Sequence, residues 1–186
     1  YGYMNRGAHE GEVGVDIYYY DIEKNVVQEK AFIPSTKSFA IAEEELGKMV
    51  YYNQDQNLLY ILAGGKFYKI DLTKDEQTVL AKNLEEGQYT VSADGHLIAY
   101  QTSGTINTAQ EIKVLNLKTD EENAVAAKSG EAIRPLGFIG SDFVYGYLRQ
   151  EDVGHTAAGG ELFPMYELEI RNSENEVMKT YSADKI

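Results

Sequence analysis

Two glycine-rich stretches hold the residue types best suited to chemistry. Residues 5–16 carry His9, Glu10, Glu12 and Asp16, and residues 149–161 carry Glu151, Asp152, His155 and Glu161. A histidine set among carboxylates can ligate a divalent cation or exchange protons as acid and base. Neither stretch has a recognised ligand spacing. Two readings therefore stand at the level of sequence: a ligand or metal site, and a solvated loop whose histidine is incidental. The third histidine, His96, falls in Ala93-Asp94-Gly95-His96 and reads as an exposed turn residue.

Other chemistries lose support. Cysteine is absent, which excludes thiolate metal sites, cysteine nucleophiles and disulfides. No G-x-S-x-G elbow, EF-hand loop or phosphate-binding glycine signature occurs, so neither a serine hydrolase nor a bound cofactor is expected. Lys and Arg number 17 against 30 Asp and Glu, a formal net charge of −13. A surface this acidic repels phosphate backbones and makes nucleic acid a poor partner. No apolar run approaches the roughly 20 residues of a membrane span. The run Glu43-Glu44-Glu45 reads as a solvated connector.

The elements that must carry the two stretches are short strands. Tyrosines and other β-formers cluster in runs such as Ile17-Tyr18-Tyr19-Tyr20, Leu58-Leu59-Tyr60-Ile61-Leu62 and Phe143-Val144-Tyr145-Gly146-Tyr147, with turn residues between them. The one helical candidate, Ala40–Leu46, is short, lacks an evident cap and meets Gly47, so a single turn or an irregular connector is as well supported as a helix. A hairpin pair then repeats. Its alternating strand ends apolar–polar–apolar at Tyr20-Asp21-Ile22, Ile70-Asp71-Leu72, Leu115-Asn116-Leu117 and Leu168-Glu169-Ile170, at spacings of 50, 45 and 53 residues. Four strands per unit of this size is the signature of a β-propeller blade. Two packed sandwiches would have no reason to repeat one hairpin pair four times. The expected fold is an all-β propeller over residues 1–186, with a partial blade at 1–34 and complete blades at 35–84, 85–130 and 131–186. The apolar flanks of the four polar positions are expected to be buried between blades. Tyr1-Gly2-Tyr3-Met4 reads as the middle of a strand, so the chain is expected to be a piece of a longer one, its ring completed by further sequence or by another chain.

Ser92-Ala93-Asp94-Gly95-His96-Leu97-Ile98-Ala99-Tyr100 resembles the S-x-D-G-x-x-I-A-Y motif of TolB-like propellers, and similar blades occur in the N-terminal domains of prolyl-peptidase-type enzymes. The motif encodes a tight Asp-Gly turn between two buried strands. In the family, loops between the second and third strands of a blade open on one face, where ligands usually sit. Both long stretches hold that position, in the first and fourth blades. The resemblance implies a binding module of a secreted or surface-anchored bacterial protein, taking a protein, small-molecule or glycan ligand on the loop face. It brings no catalytic residue with it. A propeller hydrolase, the accessory propeller of a peptidase and a structural spacer are the alternatives.

Overall fold

A computed structural model describes residues 1–162 and 164–183. The strands form consecutive antiparallel sheets whose spatial order follows the chain. Sheet 1 holds β1 (Gly2–Tyr3), β2 (Val13–Asp21) and β3 (Val26–Pro34). After helix α1 (Phe39–Lys48), sheet 2 holds β4 (Val50–Asn53), β5 (Leu58–Ala63), β6 (Lys66–Asp71) and β7 (Glu76–Ala81). Sheet 3 holds β8 (Tyr89–Val91), β9 (Leu97–Gln101), β10 (Glu111–Asn116) and β11 (Glu121–Ala126). Sheet 4 holds β12 (Glu131–Ile139), β13 (Asp142–Arg149), β16 (Met165–Arg171) and β17 (Val177–Ser182). A small hairpin, β14 (Gly154–His155) and β15 (Glu161–Leu162), rises between β13 and β16. This is an all-β chain of propeller type, with one three-stranded and three four-stranded blades. No described helix is long and apolar enough to cross a membrane.

The chain divides into two compact units, Tyr1–Asn83 and Leu84–Ile186. In the first, Val15 and Ile33 of sheet 1 pack with Ile61, Ala63, Tyr68, Ile70 and Leu72 of sheet 2 and its following turn. In the second, Ala99, Ile112 and Val125 of sheet 3 pack with Ile133, Phe143, Tyr145 and Tyr147 of sheet 4. Each core is thus one sheet face laid on the next, with alternation sending every second residue inward.

The last hairpin of each of the four sheets closes in the same way. Asp21 Oδ1 accepts from the Lys24 amide, Asp71 Oδ1 from those of Thr73 and Lys74, Asn116 Oδ1 from that of Lys118, and Asn172 Oδ1 from those of Glu174 and Glu176, at 2.8–3.1 Å. Each turn then sets an Asn or Asp in the left-handed region: Asn25, Asp75, Asp120 and Asn175, with φ between 52° and 63°. Short side chains that bond locally favour this conformation.

The shared turn corrects the fourth repeat. The counterpart of Asp21, Asp71 and Asn116 is Asn172, not Glu169, so the inward flank in sheet 4 is Arg171 rather than Leu168 or Ile170. The latter two are half-buried, whereas Ile70, Leu72, Leu115 and Leu117 are buried as expected. The expectation also fails at the first repeat: Tyr20 is 51% and Ile22 81% exposed, because sheet 2 covers only the other face of sheet 1. Of the two readings open for the helical candidate, the structure shows the helix, ten residues over 39–48. Ser38 caps it, its Oγ accepting from the Ile41 amide, and Lys48 pairs with Glu44 at 2.8 Å in the last turn. Gly47 lies inside the helix and does not stop it. Within the acidic run, Glu45 accepts from the Gly64 amide at 2.7 Å and so ties helix to sheet 2.

Candidate functional site

The loop between β1 and β2 is folded rather than loose. The Met4 amide donates to the Glu12 carbonyl, the Gly11 amide to the Met4 carbonyl and the Glu12 amide to the His9 carbonyl, at 2.8–3.0 Å. Gly7 and Gly11, with φ near +90°, make the reversals. The loop lays His9 on the open face of sheet 1. Its ring stacks on Phe32 with centroids 4.0 Å apart, Nδ1 lies 3.2 Å from Glu12 and Nε2 lies 3.1 Å from Glu29. Gly14 makes room for this stack: a Cβ there would stand 2.3 Å from the Ile33 carbonyl oxygen and 2.7 Å from the Phe32 ring.

Pairing extends the surface along the strands. Asp16 lies opposite Phe32, Tyr18 opposite Glu29 and Tyr20 opposite Val27, so all share the face that carries His9. The Tyr18 hydroxyl donates to Asp16 Oδ2 at 2.6 Å, and this bond raises the phenol above its usual range. The Tyr20 hydroxyl donates to Asn25 at 2.6 Å. Asp16 Oδ1 is buried without a hydrogen-bond partner among the described residues.

Of the first group, the structure therefore brings His9 and Glu12 into contact and adds Glu29 and Phe32. Asp16 serves Tyr18 instead, and Glu10 is exposed. The two carboxylates hold opposite nitrogens of one ring and do not converge on a point. Among the described residues, no group of three or more His, Asp and Glu side chains could hold a metal ion.

The second stretch belongs to the other compact unit. Asp152 sits in a short 3₁₀ turn, 3.7 Å from the Arg149 guanidinium. His155 is exposed and pairs through its backbone with Glu161 across the β14–β15 hairpin. The Glu161 side chain lies outside the described residues. Glu151 lines an open groove with Glu131 and Arg149. His155 and Asp152 thus stand on separate parts of the loop.

The sequence reading missed a polar ladder between sheets 3 and 4. Arg171 Nε donates to the Tyr145 hydroxyl at 2.6 Å, and that hydroxyl in turn donates to Glu169. Lys128 pairs with Glu167 at 2.5 Å and lies over the rings of Tyr147 and Tyr166. Tyr166 donates to Glu131 at 2.5 Å and carries Arg149 on its ring at 4.1 Å. Burial, with the Glu169 carboxylate beside it, pushes the Tyr145 phenol far above its usual range. The bond to Glu167 raises the Lys128 ammonium. Only the corrected register, which turns Arg171, Glu169 and Glu167 inward, could have revealed this ladder.

His96 also departs from expectation. Its side chain is only 14% exposed, with Nδ1 2.5 Å from Asp94, a contact too poorly aligned for a hydrogen bond. The surrounding turn forms as the motif implies. Ser92 Oγ donates to Asp94 at 2.7 Å and accepts from the Leu97 amide at 3.0 Å, while Gly95 takes the positive φ. The Ser92 bond is the main cause holding the Asp94 carboxyl below its ordinary value.

No protein-family model matches the chain, and no curated protein does. Among solved structures it is similar to BamB from Moraxella catarrhalis, with 14% identity over 68% of this chain and 33% of that one and a TM-score of 0.36. It is also similar to a putative TolB from Agrobacterium tumefaciens, with 10% identity over 92% and 70% of the two chains and a TM-score of 0.33. A third is Porphyromonas gingivalis dipeptidyl peptidase 4, with 8% identity over 96% and 37% and a TM-score of 0.33. The chain spans about a third of the length of the first and third of these. The fold itself is read from the sheet order and the repeated capped turns.

Proposed function

We propose that this chain is a non-catalytic binding module of propeller type that acts outside the cytoplasm and takes a protein or glycan partner beside its first long loop. One observation carries the reading. His9 of that loop is clamped between Glu12 and Glu29 and stacked on Phe32, while the tyrosine area next to it is left open. Both nitrogens of His9 face carboxylates and its ring is stacked, so proton transfer through it would first have to break the clamp. Along the same sheet face, Tyr18, Tyr20 and Ile22 are each more than half exposed. Tyrosines of this kind give large contact area at small entropic cost, with a hydroxyl for hydrogen bonding. The TolB-like turn and the acidic, cysteine-free composition support the extracytoplasmic part of the reading.

The test is retention of bacterial envelope proteins and cell-wall polysaccharides on the immobilised chain. The Tyr18→Ser, Tyr20→Ser double variant is expected to weaken retention by about tenfold with an unchanged circular-dichroism spectrum. Equal retention by the folded variant would overturn the assignment of this surface.

A further inference from the structure

At the end that carries their tight turns, sheets 3 and 4 enclose a cavity of about 110 Å³. It lies within the second compact unit, at the start of β13, whereas the second long loop leaves from that strand's other end. Eight residues of strand separate the two places by roughly 25 Å.

The lining has a definite chemistry. Apolar groups come from both sheets, Leu97 and Val114 from sheet 3 and the buried ring of Phe143 from sheet 4. Polar groups lie beside them, Asn116 paired with Leu97, Asn123 with Val114 and Arg171 with Phe143, and His96, Ser141 and Asn175 add further ones. Asn116 uses its oxygen to cap the turn at Lys118, which leaves its Nδ2 as a donor. A carboxamide or hydroxyl can donate and accept at once, as a sugar hydroxyl does. The charges offset each other. Arg171 is held by the Tyr145 hydroxyl, the Asn175 carbonyl and nearby Glu169, and Glu121 adds one carboxylate to the lining. Nothing in this balance selects an ion.

We infer that the cavity binds one ring of a neutral carbohydrate, either a free sugar or the terminal residue of a glycan. Apolar surface on both sides for the C–H faces of the ring, with groups that donate and accept beside it, is how a small polyol is held in a site of limited size. The inference stands apart from the proposed loop surface, which lies in the other unit.

The experiment is a titration of the ¹⁵N-labelled chain followed by amide spectra. The probes are glucose, galactose, N-acetylglucosamine and a trimer of the last, with glucuronate and acetate as anionic comparators. At least one neutral sugar is expected to shift the side-chain amides of Asn116 and Asn123 and the backbone amides of Ser141 and Asn172 saturably. Binding of the trimer alone would mean a glycan end, and binding of a monosaccharide alone a free sugar; either supports the inference. Asn123 and Ser141 are exposed enough to be replaced without unfolding. Asn123→Ala and Ser141→Ala should each weaken binding by about three- to tenfold at unchanged melting temperature. Saturation only by the anions, shifts confined to residues 5–16 or 149–161, or no saturable shift at about 50 mM of every sugar would each overturn it. Shifts confined to the loops would leave the proposed loop function standing.

Discussion

Two faces of the first compact unit follow the same repeat and meet opposite fates. Tyr68, Ile70 and Leu72 of sheet 2 are buried against Val15 and Ile33 of sheet 1, with Ile17 and Tyr19 packed alongside. Tyr18, Tyr20 and Ile22 hold the corresponding positions in sheet 1 and are exposed. Alternation decides which side of a strand a residue takes; only a neighbouring sheet decides whether that side is dry. The residue types register the difference. Where sheet 2 has Ile70, sheet 1 has Tyr20, whose hydroxyl is bonded to its own turn. Tyr18 likewise bonds Asp16, so two of these three side chains end in a satisfied polar group.

Substitutions can break or sharpen this contrast. The largest effect is expected at the covered face: Ile70→Ala should cost roughly 2–5 kcal/mol in urea unfolding, from lost transfer energy and the cavity left behind. Gly14→Ala comes next, at about 1–3 kcal/mol, because its Cβ would collide with the Ile33 carbonyl. It should also lift His9 off Phe32, visible as a shift of the imidazole proton resonances. Tyrosine hydroxyls should divide in the same way as the faces. Tyr145→Phe, which strips a buried bond from both Glu169 and Arg171, should cost about 1–2 kcal/mol, and Tyr20→Phe should be nearly silent.

A smaller effect concerns acid. Asp21 is held below its ordinary value of 3.8 chiefly by the Lys24 ammonium, and Asp71 chiefly by the Lys74 backbone amide. Carboxylates depressed in the folded state add stability that is complete above the ordinary value and is lost as pH falls through the lower, folded one. The Asp21→Asn, Asp71→Asn double variant keeps the turn acceptors and does not titrate. Its melting temperature should therefore fall less than that of the parent between about pH 5 and about pH 2. Smallest of all, Ile22→Ala on the open face should stay within about 0.5 kcal/mol. A cost near that of Ile70→Ala would mean the face is covered in solution.

The blade pattern was legible in the sequence because it is local: alternation and turn residues announce each hairpin without reference to the rest of the chain. The fourth repeat slipped because Leu168-Glu169-Ile170 imitates the apolar–polar–apolar triplet. The physical marker is the capped turn, where an Asx residue is followed three or four positions later by a left-handed Asn or Asp, and that marker sits at Asn172 and Asn175. Ser38 was present as a cap, but its partner amide belongs to Ile41 and not to an acidic residue, so no reciprocal capping box advertised it. The loop histidine was found by composition, yet half of its environment was not. Glu29 is twenty residues away, and a bulge in the pairing with β3 shifts the register between Ile17 and Tyr18. Simple alternation does not place Glu29 beside His9.

The capped turns bear on how such a chain can diverge. Two are closed by a carboxylate and two by a carboxamide, and the backbone receives the same oxygen in either case. Drift between acid and amide at these corners changes the field around the molecule one charge at a time and leaves the architecture alone. Part of the acidic balance is thus a quantity a lineage can reset after the blade itself has been fixed.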